Sequence, residues 1–271
     1  MTLPVDLVLV RHAQSEINQA NAESRSGDDR FFTKKHRDQH TASLPLSDRG
    51  RYEQAPRTGA YIIEEFIDKG IVFDRFVTSE YLRAIETAGL LGLPGASWYI
   101  EPYLAERDWG ELDMLPNDER EKKFMAELRR RHAEPYFWNP PNGESLKQTN
   151  LYVDRVIESL RRAQSKKPAI LVCHGEVMWT FRLRLEYLSQ LKFRELLFSK
   201  GHANTIFNCQ IIHYTRVNPE TDELAPYMGW VRWIRPTETP VTTSGWQKIV
   251  RPRYSNAELL EVVRRRKAMD E

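Results

Sequence analysis

The chain has 271 residues, 41% of them hydrophobic and 29% charged, which is long enough to bury a sizeable core and ordinary for a globular protein. Forty basic against 38 acidic residues leave a formal net charge of +2, so nothing argues for nucleic acid or a membrane surface as a bulk partner; only a local basic pocket remains open. Two cysteines, Cys173 and Cys209, occur without CxxC or Cys/His ligand spacing and make neither a disulfide framework nor a zinc motif.

The opening "MTLPVDLVLV" lacks a basic start, and its apolar run is too short for a signal peptide or a membrane span. A soluble protein of a reducing, cytoplasmic compartment is therefore expected. The run at 5–10 is a buried strand that ends abruptly in Arg11-His12. Residues 19–45 are polar, charged and short of aliphatics, and read as a surface insertion or a lid carrying Phe31-Phe32. A second apolar run, "FDRFVTS" (73–79), leads into the helical pattern "EYLRAIETAGLL". Residues 117–133 predict a helix with acidic residues early and basic ones late, in agreement with the helix dipole. After the Pro/Gly loop "EPYFWNPPNGES", Ser145 and Gln148 have capping-box spacing for a helix over 146–163.

A third buried strand, "AILVC" (169–173), is followed by His174-Gly175 and another helical pattern. The runs at 206–217 and 228–235 alternate more and predict later strands, at least one an antiparallel edge. Ser255 and Glu258 open a last helix over about 255–269. Short apolar strands alternating with helices argue for an α/β sheet with right-handed crossovers. No repeat is visible, and the chain reads as one domain, 1–271, with insertions at about 19–45 and 108–143.

Ligands of open α/β sheets bind at the carboxyl ends of the strands. Arg11, His12, Arg83 and His174 all fall there or in the following first turn, so segments distant in sequence meet in one crevice. Two arginines and two histidines suit a phosphoryl group. A guanidinium matches two phosphate oxygens at once. A neutral imidazole is a competent nucleophile, and phosphoryl transfer needs mainly positioning and positive charge.

"LVRHAQSEIN" closely resembles the Arg-His-Gly signature of the histidine phosphatase (phosphoglycerate-mutase-like) superfamily. Five further elements follow in the expected order: "LSDRGRYEQA" (46–55), "TSEYLRAIETA" (78–88), "LAERDWGELD" (104–113), "NGESL" (142–146) and "VCHGEVMW" (172–179). The resemblance covers residues 7–179 and implies a three-layer α/β/α sandwich with a mostly parallel central sheet. It implies His12 as nucleophile and phosphohistidine, Arg11 and Arg83 as the phosphoryl clamp, and His174 as donor to a further oxygen. Glu106 would be general acid and then base, with Ser15 and Asn18 lining the pocket. The expected partner is a small phosphorylated substrate, with no metal, no cofactor, no nucleic acid and no membrane; self-association into a homo-oligomer is left open.

Two departures bear on the reaction. Ala13 replaces the family's glycine and threatens to narrow the phosphate loop unless φ stays negative. Glu176 stands where cofactor-dependent mutases usually have Asn. These differences favour a metal-independent phosphatase over a 2,3-bisphosphoglycerate-dependent phosphoglycerate mutase, whose carboxylate-binding arginines have candidates in Arg130 and Arg131. A non-catalytic phospholigand-binding module is the third reading.

Taken alone, many of these residues have plainer explanations. His12 read in isolation is a satisfied core histidine, and Arg83 a helix-surface arginine. Glu144 reads as first-turn helix charge and Cys173 as a buried inert thiol. His202 and His213 read as structural residues, Trp230 and Trp233 as packing residues, and "KKHR" (34–37) and "RRRK" (264–267) as solvated charge. A zinc site of His12, His174 and Cys173 is disfavoured because Arg11 would repel the cation.

Overall fold

The computed structural model describes residues 2–162, 167–199, 201 and 204–270; His202 lies outside them. In β1 (Asp6–Arg11), Leu7 and Leu9 join the core on one face of a central sheet, while Val8 and Val10 join the core on the other. A strand buried on both faces needs helices on both sides, and the chain supplies them in order. After β1 come α1 (Glu16–Arg25), α2 (Lys34–Arg37) and α3 (Ala55–Ile62), then β2 (Arg75–Thr78), α4 (Leu82–Leu90) and β3 (Trp98–Ile100). Next are α5 (Asn117–Ala133), α6 (Leu146–Arg162), β4 (Ala169–Cys173), α7 (Gly175–Leu185) and α8 (Gln190–Leu197). The chain closes with β5 (Ile211–Thr215), β6 (Trp230–Arg235), β7 (Thr242–Thr243), β8 (Gln247–Lys248) and α9 (Asn256–Asp270).

The sheet runs β3-β2-β4-β1-β5-β6-β7, with β8 also on β6. Strands β3, β2, β4 and β1 are parallel, and every pairing from β5 onward is antiparallel. The expected antiparallel edge is thus a whole half of the sheet. It forms because β5 to β8 follow one another through short connections that need no crossover helix.

Helix α6 buries Leu146, Thr149, Asn150, Val153, Val156, Ile157 and Leu160, a stripe at three- and four-residue spacing. That stripe packs against α7 on the Leu7/Leu9/Leu171 face. On the other face Ile62 and Phe66 meet Ala84 and Ala88 over Val10, Ile170 and Val172. Each fully buried aliphatic side chain of this kind contributes about 1.5–3 kcal/mol. Strands β4 and β1 are the fully enclosed centre.

The two insertions hold one another. Phe32 is buried with Ile17, Ala20, Leu44 and Met114, and Phe31 packs against this cluster. Arg37 pairs with Glu119 of α5 at 2.8 Å, the amide of Asn117 donates to Ser24 Oγ at 2.7 Å, and Arg120 reaches Asn21 Oδ1 at 3.2 Å. Segment 19–45 is therefore anchored on α5, and Arg37 of "KKHR" has a partner there. The last helix, α9, is exposed along most of its length, with Arg264 and Arg265 paired to Glu261. Among the described residues no helix is long and apolar enough to cross a membrane.

Candidate active site

Register places the two histidines together. In the parallel β1/β4 pair Arg11 lies opposite Cys173, so His12 and His174 are the next residues beyond two adjacent strand ends. The His12 amide donates to Cys173 O at 2.9 Å, extending the ladder by one step. The imidazoles come to 5.1 Å between centroids. On the far side of β4, Ser79 follows β2 and its amide donates to Val172 O at 3.0 Å. Its Oγ lies 2.8 Å from His174 Nε2, and the Tyr81 ring abuts His174 edge-on at 5.0 Å.

His12 Nδ1 donates to the carbonyl of Ala13 at 2.7 Å. A carbonyl oxygen only accepts, so Nδ1 carries the ring proton and Nε2 keeps its lone pair. Burial, together with the charges of Arg83 and Arg11, holds His12 well below the ordinary imidazole range. Burial, Arg83, His12 and Arg11 do the same to His174. Both rings are neutral at pH 7.

Two guanidinium groups face this pair. Arg11 Nη1 donates to Ile206 O and Arg83 Nη1 to Thr41 O, each at 2.6 Å. The Arg83 guanidinium lies 4.8 Å from the Tyr81 ring centroid. Arg11 Nε and His174 Nδ1 are buried with no hydrogen-bond partner among the described residues. Each such atom costs about 1–3 kcal/mol, and two in one site are accounted for by a ligand that brings acceptors.

Glu106 follows the turn at Pro102–Leu104, just beyond β3. Burial first, then the charge of Glu176, pushes its carboxyl up to about 7, against the pull of Arg83 and Arg11. The amide of Arg107 donates to Glu106 Oε1 at 3.2 Å, and Tyr81 OH donates to its main-chain oxygen at 3.4 Å. The loop is braced from below: Glu144 accepts from the Asp108 amide at 3.1 Å and from Tyr152 OH at 2.8 Å. Gly110 has φ +53°, and a Cβ there would meet Pro141 O at 2.2 Å. "NGES" is thus the seat on which "WGEL" rests, a structural role beyond simple helix charge.

A cavity of about 270 Å³ opens onto Arg11, Glu106 and Gly175, with Trp109, Arg131, Glu176, Trp179, Leu196 and Leu197 around it. The imidazoles lie behind this lining; His12 is 1% exposed and His174 fully buried. The Arg131 guanidinium has no hydrogen-bond or ion-pair partner among the described residues and packs against Trp109 and Phe198. Arg130 instead pairs with Glu127 at the surface.

The remaining expected site residues stand one step back. Ser15 caps α1 in a reciprocal box with Asn18. Asn208 Nδ2 donates to both Asn18 Oδ1 and His12 O at 3.0 Å, so this box fixes the histidine's backbone. The Ala13 amide donates to Thr87 Oγ1 at 3.0 Å. Its methyl packs with Leu46, Ala55 and Cys209, and Ala13 is not among the residues with positive φ. Burial pushes the Cys173 thiol well up, as an inert thiol requires. His213 is a core residue bonded to Asp6 at 2.8 Å, and Trp233 packs on the core. Sequence reasoning assigned no role to Thr41, Ser79, Tyr81, Arg107 or Asn208; of these, only Ser79, Tyr81 and Arg107 lay inside recognisable motifs.

A mixed sheet whose central parallel strands β1 and β4 deliver paired histidines and arginines to one crevice defines an α/β protein of the phosphoglycerate-mutase-like class. Residues 7–215 match the model of the histidine phosphatase superfamily, branch 1, and the chain belongs to that superfamily. It is 33% identical over 192 residues to a 2,3-bisphosphoglycerate-dependent phosphoglycerate mutase of Azorhizobium caulinodans, covering 68% of this chain and 82% of that protein. It is 28% identical over 212 residues to bovine 6-phosphofructo-2-kinase/fructose-2,6-bisphosphatase 1, covering 78% of this chain and 38% of that one. Among solved structures, a mycobacterial glucosyl-3-phosphoglycerate phosphatase bound to VO3 superposes with TM-score 0.60 at 21% identity, covering 77% of this chain and 92% of that chain. The α-ribazole phosphatase of Shigella flexneri superposes with TM-score 0.58 at 20% identity, covering 82% and 96%.

Proposed function

We propose that the protein is a metal-independent phosphatase that hydrolyses a small phosphomonoester through a phosphohistidine on His12. The observation that carries this reading is the His12–Ala13 hydrogen bond, which leaves Nε2 as a buried, unprotonated nucleophile between two arginines.

In the first step the Nε2 lone pair attacks phosphorus and the ester P–O bond breaks. Glu106, carrying a proton near neutral pH, gives it to the leaving oxygen. Arg11 and Arg83 bind the equatorial oxygens, and His174 donates to another. In the second step Glu106, now a carboxylate, takes a proton from water as the water oxygen attacks phosphorus. The P–N bond breaks, inorganic phosphate leaves, and His12 regains its lone pair. Ser15 and Asn18 hold the loop that carries the nucleophile.

The test compares wild type with His12→Ala on a generic aryl phosphate. A loss of about 10³-fold or more in kcat is expected; full activity in the variant would overturn the mechanism.

The second reading, a 2,3-bisphosphoglycerate-dependent mutase, is favoured by the names of relatives near one-third identity and by Arg131 facing the cavity. Incubation with 3-phosphoglycerate and catalytic 2,3-bisphosphoglycerate separates the two: a phosphatase releases phosphate, whereas a mutase isomerises without release.

A further inference from the structure

Glu106 shares its cavity with a second carboxylate, Glu176, in the first turn of α7. One residue links them. The backbone amide of Arg107 donates to Glu106 Oε1 at 3.2 Å, while its side chain turns to Glu176, Nε to Oε2 at 2.5 Å and Nη2 to Oε1 at 3.0 Å. That guanidinium is 1% exposed and lies against Trp109 at 4.7 Å and Trp138 at 5.4 Å. Two bonds to Glu176 and the two indole faces hold it on the Glu176 side.

We propose that Glu176, locked by Arg107, is a positioning residue that sets the charge state in which Glu106 meets the leaving group. Two carboxylates on one low-dielectric wall do not both ionise readily. The forked arginine tells them apart: Glu176 takes two charge-assisted bonds from it. Among the described residues the Glu106 carboxyl receives one backbone amide, and it is left as the proton carrier. Other groups around Glu106 act on this balance. Arg11 from β1 and Arg83 from α4 favour its anion, His12 and His174 are neutral, and the Cys173 thiol and Tyr81 hydroxyl stay protonated. Arg131 from α5 lines the same cavity and feels the charge of Glu176. Glu176 is thus the source of negative charge that opposes the two phosphate arginines.

The inference rests on the phosphatase reading, and its test separates the two. kcat/KM is measured against pH for an alkyl phosphate, whose leaving oxygen needs a proton, and for a nitrophenyl phosphate, whose leaving group does not. In Glu176→Gln the alkaline limb for the alkyl ester moves to lower pH by about one unit. Its rate at pH 7.5 falls roughly tenfold while the nitrophenyl ester loses less than about twofold. Glu176→Asp, which keeps the charge, restores the limb. If Glu176→Gln leaves Arg107 too poorly matched to fold, the double variant Glu176→Gln/Arg107→Gln removes both buried charges and shows the limb displaced in the same direction by a smaller amount, since the two charges partly offset. An unmoved limb, or equal loss on both esters, overturns the inference while the loss of activity in His12→Ala leaves the phosphatase reading standing. Retained activity in His12→Ala overturns that reading and this inference with it.

Discussion

His12 and Ala13 are joined by a hydrogen bond between neighbours: the ring Nδ1 of one donates to the carbonyl oxygen of the other at 2.7 Å. The loop after β1 therefore selects the tautomer of its own nucleophile. Ala13 serves that loop through its backbone, donating to Thr87 Oγ1 and accepting from His12, while its methyl points into a buried apolar cluster.

Replacing Ala13 by the glycine usual in the family is consequently a stability change. Ala13→Gly loses a buried methyl and gains unfolded-chain freedom, about 1–2 kcal/mol together. Thermal or urea unfolding reads the loss, and kcat on an aryl phosphate stays within about twofold. A variant with faster turnover and unchanged stability would show that the methyl does constrict the phosphate loop.

Glu106 ties activity and stability to pH in opposite senses from the histidines. With its carboxyl held up to about 7, kcat/KM for a poor leaving group falls about tenfold per unit above that pH. His12 is held well below its ordinary range by burial and by Arg83 and Arg11, so its protonation sets no acid limb within the ordinary imidazole range. For folding, a raised carboxyl contributes stability fully present below its unfolded value of 4.5 and lost as pH rises through 7. The lowered histidines, His12, His174 and His213, contribute stability present above about 6.5 and lost as pH falls. Glu106→Gln removes only the first of these. Its stability relative to wild type should rise between pH 4.5 and 8 by on the order of 3 kcal/mol, measured by denaturant unfolding at the two pH values. An unchanged difference would mean that Glu106 ionises normally in the folded protein.

Much of this site is legible in the residues themselves. An apolar strand ending in Arg11-His12, and another ending in His174, already place two imidazoles at neighbouring strand ends once the sheet is parallel. Glu106 and Arg83 follow from the motifs around them. The partners that hold these groups are harder to read, because they are backbone carbonyls from remote segments. Arg83 uses Thr41 O and Arg11 uses Ile206 O, and a carbonyl leaves no mark on residue type. Segment 19–45 looks like a loose insertion since its apolar residues are few, yet Ala20, Phe32 and Leu44 reach a cluster shared with Ile17 and Met114, and polar bonds tie it to α5. The antiparallel strands escaped a full reading for a related reason: β7 and β8 are two residues each, too short for any alternation.

Gly50 marks a second point where backbone meets backbone beneath the phosphate loop. A Cβ at this position would lie 2.0 Å from Gln14 O, and Ser47 already bonds that carbonyl through both its amide and its hydroxyl. Gly50→Ala must push Gln14, and with it Ala13 and His12, out of place. A loss of about 3 kcal/mol in unfolding free energy and at least tenfold in kcat is expected. Intact stability and kinetics would show that the helical turn leading into α3 yields instead of the loop.

Arg130 and Arg131 are adjacent in sequence and different in use, and the difference bears on the substrate. Arg130 is tied to Glu127 on the outside of α5. Arg131 turns inward, its guanidinium 4.9 Å from the Trp109 ring centroid, on the wall of the cavity that reaches Glu106 and Arg11. Burial pushes that cation down from its ordinary value, and a second anionic group on the substrate would relieve the cost. Arg131→Met keeps the stem and its contact with the ring while removing the charge. For 3-phosphoglycerate the variant should raise KM by about 10- to 100-fold, with nitrophenyl phosphate changed by less than about threefold, and Arg130→Met should alter neither. Equal effects of Arg131→Met on the two substrates would show that the guanidinium supports the wall and takes no part in recognising a carboxylate.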